Sequence, residues 1–339
     1  MSSKKILVLL FAVIFALTSL TACGSGSQQA AQAPAKEEVK KEEPAKAAEP
    51  AKEEKKARKF GATYMTMNNP FFIALNDGIK SVVEPKGDSV VALDPALDQA
   101  KQISQIEDLI AQKVDAIFLN PVDWKGVKPA LEAAKKANIA IINVDAPVFD
   151  VDLVASVVAS DNYKAGVLVF EDVAKRLKGG NVVLLEHPTA KSAIDRTKAF
   201  EDSIKDKPEW KIVAKQTSDG QLEKAMPVME NILQAQKQID VVYGLNDPTA
   251  MGALAAMQAA KREKDVLIYG VDGAPDAKKM VKDGKLTGTA AQSPKGIGKT
   301  AAETAYKILA GETVDKTILV PVTLITKDNV DQFGTDGWQ

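Results

Sequence analysis

One cysteine and one histidine are all that this 339-residue chain carries of two reactive side-chain types. With Cys23 alone, no disulfide can close and no thiolate cluster can hold a metal. With His187 alone, no Ser-His-Asp set stands out, and the acidic pairs sit in no recognisable glycosidase context, so little supports an enzyme. An excess of one charge is also lacking. Lys and Arg total 44 against 45 Asp and Glu, for a net charge of −1. Without a basic stripe, nucleic acid is not an expected partner. A phosphate loop is missing too: Gly298-Lys299-Thr300 has Ser293 where the upstream glycine belongs, and no apolar strand immediately precedes it. That segment reads instead as the start of a helix carrying Ile297, Ala301, Ala305 and Ile308. No residue set calls for a cofactor or a metal.

What is there begins with a processing signal. Two lysines precede the apolar run Ile6–Leu17, and Leu20-Thr21-Ala22 places small residues before Cys23. This is the pattern of a secretory segment, and the run falls short of the roughly 20 residues a membrane-spanning helix needs. Leu20-Thr21-Ala22-Cys23 resembles a bacterial lipobox, so Cys23 is expected to be acylated after removal of residues 1–22. That implies attachment to a membrane on its extracytoplasmic face. Residues 24–59 follow as a stretch of Ala, Lys, Glu, Pro, Gln and Ser, with Val39 the only larger aliphatic residue. Such a segment cannot bury enough apolar surface to offset its ordering entropy. Its lysines and glutamates are intermixed, which makes a solvated spacer and not a lipid-binding patch. Its expected role is reach.

Residues 60–339 exceed the usual size of a single core and point to two domains. Short β-branched runs alternate with amphipathic segments of helical length, which argues for parallel strands with crossover helices. Strands are expected at residues 60–66, 90–93, 116–119, 140–144, 182–185, 241–243 and 266–271. Helices are expected at 99–112, 127–137, 165–177 and 250–260. Each strand is largely apolar, as suits sheets covered on both faces.

A weak internal repeat sharpens this outline. Phe118-Leu119-Asn120-Pro121 is followed by Asn143-Val144-Asp145-Ala146-Pro147; later, Gly244-Leu245-Asn246-Asp247-Pro248 is followed by Gly270-Val271-Asp272-Gly273. Asn120 and Asp145 stand 25 positions apart, and Asn246 and Asp272 stand 26 apart. Each pair marks one strand–helix–strand unit that ends in a polar residue. Two lobes of matching topology would each offer Asn and Asp at the carboxyl ends of strands, where open α/β sheets bind ligands. Facing one another, those edges make a cleft.

Several ordered segments give the chain a family likeness: Asn68-Asn69-Pro70-Phe71-Phe72, Leu119-Asn120-Pro121, Ala159-Ser160-Asp161-Asn162, Asn246-Asp247, Gly270-Val271-Asp272-Gly273, Asp283-Gly284-Lys285-Leu286 and Ala291-Gln292. In this order and spacing the chain resembles the ribose-binding branch of the type I periplasmic binding proteins, over residues 60 to about 324. The resemblance implies an α/β fold of two doubly wound, Rossmann-like lobes with parallel sheets. It also implies a three-segment hinge near Ser160, Gln292 and Thr323. The N-terminal lobe would hold 60–160 plus 293–323, and the C-terminal lobe 161–292 plus 324–339. It further implies capture of a monosaccharide or polyol by cleft closure, delivery to the membrane subunits of an ABC permease, and action as a monomer.

Carried over residue by residue, the family's ligand contacts fall on Asn69, Phe71, Phe72, Asn120 and Asp145 in one lobe. Arg196, Asn246, Asp272 and Gln292 come from the other lobe or the hinge. Hydroxyls both donate and accept, so a polyol suits this mixture of carboxylate, amide and guanidinium. Simpler roles exist for several: Asn69 as a helix cap, one of Phe71 and Phe72 as core, Asp145 and Asp272 as turn residues, Arg196 as a solvated helix residue, Gln292 as a hinge support. Ala146 replaces an arginine of the ribose pattern, and Gly220 and Val271 stand in place of aromatics, which moves the expected ligand away from ribose itself. Trp124 is either a replacement aromatic wall or a buried residue at a helix start. His187 is expected at the surface or in a capping role. Two other functions share the fold: a lac-repressor-like regulator, which would need an N-terminal helix-turn-helix where this chain has its signal and spacer, and a receptor feeding a sensor kinase or chemoreceptor without transport.

Overall fold

The computed structural model describes residues 56–339. The secretory segment, Cys23 and nearly all of the spacer lie outside the described residues. The first half of the body runs β1 (Lys59–Thr63), α1 (Pro70–Val83), β2 (Ser89–Leu93), α2 (Gln99–Ala111), β3 (Ala116–Leu119), α3 (Lys128–Lys136), β4 (Ala140–Val144) and β5 (Ser156–Ser160). The second half repeats the alternation. It runs α4 (Asn162–Arg176), β6 (Gly180–Glu186), α5 (Lys191–Ile204), β7 (Trp210–Thr217), α6 (Leu222–Ala235), β8 (Val241–Gly244), α7 (Asp247–Ala259), β9 (Leu267–Asp272), α8 (Pro275–Lys282) and β10 (Gly288–Ala291). The chain closes with α9 (Pro294–Leu309), β11 (Thr317–Val320), β12 (Thr323–Thr326) and α10 (Val330–Phe333).

These strands form two six-stranded sheets, ordered β11-β5-β4-β3-β1-β2 and β12-β10-β9-β8-β6-β7. The two orders match strand for strand, as the internal repeat requires. Alternate residues of each strand serve opposite faces. In β3, Ala116 and Phe118 pack with the cluster under α1 and α9, while Ile117 and Leu119 pack with the cluster under α2 and α3. In β6, Val183 and Leu185 go one way and Val182 and Leu184 the other. Both sheets are thus covered on both faces, which is why their strands read as apolar runs and not as alternation.

The chain passes between lobes after β5, after β10 and between β11 and β12. The sheets are parallel throughout but for one pairing: β12 pairs with β10 antiparallel. The reason is its route. β11 runs parallel to β5 and ends level with Ser160, so the chain enters the second sheet at its cleft edge after only two residues and must run away from the cleft. The first expected strand is also shorter than residues 60–66. It stops at Thr63, and the Asn120 side-chain oxygen takes the Met65 N–H at 3.1 Å.

Helix α1 crosses α9 at glycine contacts. A methyl group at Gly78 would come within 2.3 Å of the Lys295 carbonyl oxygen, and one at Gly298 within 2.1 Å of the Leu75 carbonyl oxygen. Only glycine lets these backbones approach so closely.

Candidate functional site

A cavity lies between the carboxyl ends of the two sheets. Met65, Thr66, Phe71, Phe72 and Asp145 line it from the first lobe, His187, Arg196, Asn246 and Asp272 from the second, and Gln292 from the second crossing. The space open to water centres is about 40 Å³. The lobes touch across it: Asn68 Nδ2 donates to Glu223 Oε1 at 3.3 Å, and the Trp124 N–H donates to the Thr189 carbonyl at 3.0 Å. The cleft is therefore closed.

The apolar wall is built at the start of α1. Asn69 caps that helix, its Oδ1 accepting from the Phe71 N–H at 2.9 Å, and Pro70 occupies the first helical turn. The cap sets the direction of Phe71 and Phe72, and both rings line the cavity although they are adjacent in a helix. They meet edge to face at 5.4 Å; Phe72 stacks on Tyr64, and Phe71 meets Trp338 of the C-terminal tail at 6.0 Å. Asn69 itself borders a neighbouring crevice with Gly220 and Glu223 and not the cavity.

The polar wall is held by strand ends. Asp145 follows β4 with φ 62°, and Asp272 ends β9 with φ 131°. Positive φ costs a non-glycine residue roughly 1–3 kcal/mol, although aspartate tolerates the left-handed region better than most. Asp145 Oδ2 accepts from Asn120 Nδ2 at 3.0 Å, while its Oδ1 has no hydrogen-bond partner among the described residues. Asn120 is fully buried, engaged at both ends of its amide, and does not line the cavity. Gln292 Nε2 donates to Asp272 Oδ1 at 2.8 Å, which leaves Gln292 Oε1 without a partner among the described residues. Asn246 caps α7 through the Thr249 N–H and donates to the Gly220 carbonyl at 2.9 Å.

Arg196 is buried on α5, not solvated. Its Nε donates to Asn162 Oδ1 at 2.8 Å and its Nη1 to the Leu245 carbonyl at 2.9 Å, with Nη1 4.0 Å from Asp272 Oδ1. Asn162 in turn donates to the Ser160 carbonyl, which ties the guanidinium to the first crossing. A close contact between α4 and α5 sets this placement, since a methyl at Gly166 would sit 2.2 Å from the Arg196 carbonyl oxygen.

Burial pushes the Asp145 carboxyl up to about 6, with Arg196 and Asn120 pulling it partly back. Asp272 is raised well above the ordinary carboxylate range, first by burial and then by Asp247. Asp247, at the start of α7, is raised by its own burial, against the hydrogen bonds from the Thr289 hydroxyl and the Ala274 N–H. Asp247 belongs to this buried group although the sequence suggested only a motif residue. His187 corrects another expectation. It is 5% exposed and lines the cavity, and burial lowers its pKa, so it is neutral at neutral pH. Trp124 forms no part of the cavity wall; it packs against Phe149, with ring centroids 5.3 Å apart. Val271 is core, and Gly220 borders the cavity.

Two matched lobes closing on such a site can be compared with known proteins. The model of the periplasmic binding protein domain matches residues 60–313. The chain belongs to the periplasmic binding protein family. This periplasmic binding protein is 38% identical over 275 residues to the ribose import binding protein of Bacillus subtilis strain 168, covering 80% of this chain and 88% of that one. Among solved structures, a solute-binding protein of an ABC transporter from Mycobacterium smegmatis with bound glycerol matches with a TM-score of 0.79 and 32% identity, over 83% of this chain and 98% of that one. Another, from Bacillus halodurans C-125 with bound myo-inositol, matches with a TM-score of 0.77 and 29% identity, over 81% and 96%. The family is one of solute-binding proteins.

Proposed function

We propose that this protein captures a monosaccharide or related polyol in the cleft and delivers it to an ABC importer, and that it is not an enzyme. One observation carries the reading: a cavity walled by two phenylalanine rings on one side and by buried, partly unpartnered carboxylate and amide groups from both lobes on the other. Rings cover the apolar C–H faces of a sugar, and hydroxyls supply donors to Asp145 Oδ1 and Gln292 Oε1. A ligand lacking one such hydroxyl strands a buried polar group, at roughly 1–3 kcal/mol each. Phe71, Phe72, Asp145 and Gln292 are the proposed contacts along with Arg196, Asn246 and Asp272. Asn120 and Asn69 act one step back, the first by orienting Asp145 and the second by capping α1. The relatives' ligands, ribose, glycerol and myo-inositol, are all polyhydroxylated.

Residues bridging the cleft make closure part of binding, because a ligand shifts the equilibrium by its preference for the closed form. The lobes would divide as 60–160 plus 293–323 and 161–292 plus 324–339. The protein would act as a monomer, held to the extracytoplasmic face of the membrane through acylated Cys23 and the spacer. Membrane attachment is checked by labelling with palmitate, which Cys23→Ser is expected to abolish. Transport is tested by deleting the gene and following uptake of the labelled ligand. Loss of uptake is the expected result. Continued uptake with loss of a signalling response would assign the protein to a sensory receptor system.

A further inference from the structure

After its three crossings the chain returns once more to the first lobe. Helix α10 belongs to the second lobe, where Val330 is buried in the core and Phe333 packs beside it. Gly334 then takes φ 65° with ψ 169°, a backbone conformation nearly confined to glycine, and turns the chain out of the helix. Four residues later the half-buried Trp338 packs against the core cluster under α1 and α9 and meets the Phe71 ring edge to face at 6.0 Å. Phe71 is one of the two rings that wall the cavity.

Neighbouring residues of this tail are held by different lobes. Lys278 of α8, in the second lobe, is fully buried, and its ammonium donates to the Gly337 carbonyl at 2.7 Å. Taking a lysine out of water is costly unless its charge finds a partner, so this bond fixes the tail to α8. The next residue, Trp338, is held by α1. Gln339 is tied to the second crossing, its carbonyl accepting from the Ser293 hydroxyl at 2.7 Å, one residue beyond the cavity-lining Gln292. Consecutive Cα atoms stand about 3.8 Å apart, so Gly337 and Trp338 cannot follow two lobes that separate. An opening of the cleft that moves α1 away from α8 must break either the lysine bond or the ring contact. Contacts made only in the closed form favour that form.

We propose that residues 334–339 latch the closed cleft, with Trp338 as the positioning residue that holds Phe71 in the cavity wall and Lys278 as the anchor on the other lobe. The inference concerns closure and not the identity of the ligand, so its failure leaves the capture of a polyol standing. The test is hydrogen exchange on the full chain without added ligand. The Trp124 N–H, donated across the cleft to the Thr189 carbonyl, reports closure, and the amides of β3 and β8 report the lobe interiors. Trp338→Ala is expected to speed exchange at Trp124 about tenfold and to leave β3 and β8 unchanged, while Trp338→Phe, which keeps an aromatic ring on Phe71, restores part of the protection. Lys278→Met is expected to act as Trp338→Ala does, and it decides alone should Trp338→Ala fail to fold. Exchange at Trp124 that is the same with and without the Trp338 ring overturns the latch. So does equal acceleration across β3 and β8, which makes the tail a support of the core and nothing more, or a Trp338→Phe variant no better protected than Trp338→Ala.

Discussion

Asn120 and Asp145 show how a residue pair divides its labour at the cleft. The repeat that links Asn120 with Asp145, and Asn246 with Asp272, was readable because each pair closes a strand–helix–strand unit at its polar end. What spacing does not reveal is which partner faces the cavity. Asn120 is consumed by the Met65 N–H and Asp145, whereas Asp145, which lines the cavity, keeps one buried oxygen without a hydrogen-bond partner among the described residues. Asn120→Ala is therefore expected to strand the Met65 N–H and release Asp145, costing about 1–3 kcal/mol of stability and weakening polyol binding. A urea titration beside calorimetry checks both, and unchanged affinity would place Asp145 outside the ligand's reach. His187 and Asp247 escaped the sequence for a different reason. A lone histidine in a loop and an acidic residue in a helix's first turn have common structural uses, and only the tertiary fold turns them inward.

Among the elements, several interior strands were legible and most outer ones were not, although edge strand β2 was expected and the buried strands β5 and β10 were missed. β3, β4 and β8 are buried along their whole length or nearly so, and read as unbroken apolar runs. Edge strands β7 and β11 are largely half-exposed or exposed, so their mixed sequences carry no such signal. Several helices were legible as periodic segments, but their glycine crossings were not, because a glycine inside a helix gives no hint of the backbone it meets. Gly298→Ala places a methyl 2.1 Å from the Leu75 carbonyl oxygen and must push α1 from α9. A loss of about 1–3 kcal/mol is expected in thermal or urea unfolding, and a variant as stable as wild type would mean that these helices do not pack at this distance. The meeting of Phe71 with Trp338 was equally out of reach, since it joins opposite ends of the folded body.

At the scale of the whole molecule, the lobes and their cleft followed from the repeat, whereas the reversed strand β12 depended on the path of the third crossing. Closure also has a pH dependence. The closed cleft holds the Asp145 carboxyl at about 6 against an ordinary 3.8, and opening returns it towards water. The closed form thus binds the proton more tightly, and this contribution is present in full below the ordinary value and lost as pH rises through about 6. It amounts to at most about 3 kcal/mol. Burial raises Asp272 in the same direction. The ligand-free protein is expected to become more compact in small-angle scattering as pH falls from about 8 to about 5; expansion over that range would contradict the sign. The central claim, capture of a polyhydroxylated ligand between the lobes, is tested most directly by following the unfolding of the full chain against a panel of sugars and polyols. One compound at about a hundred times its Kd is predicted to add about 2.7 kcal/mol of stability, an effect that Asp272→Ala removes. No response across that panel, with stabilisation by an amino acid or a metal ion instead, would contradict the account.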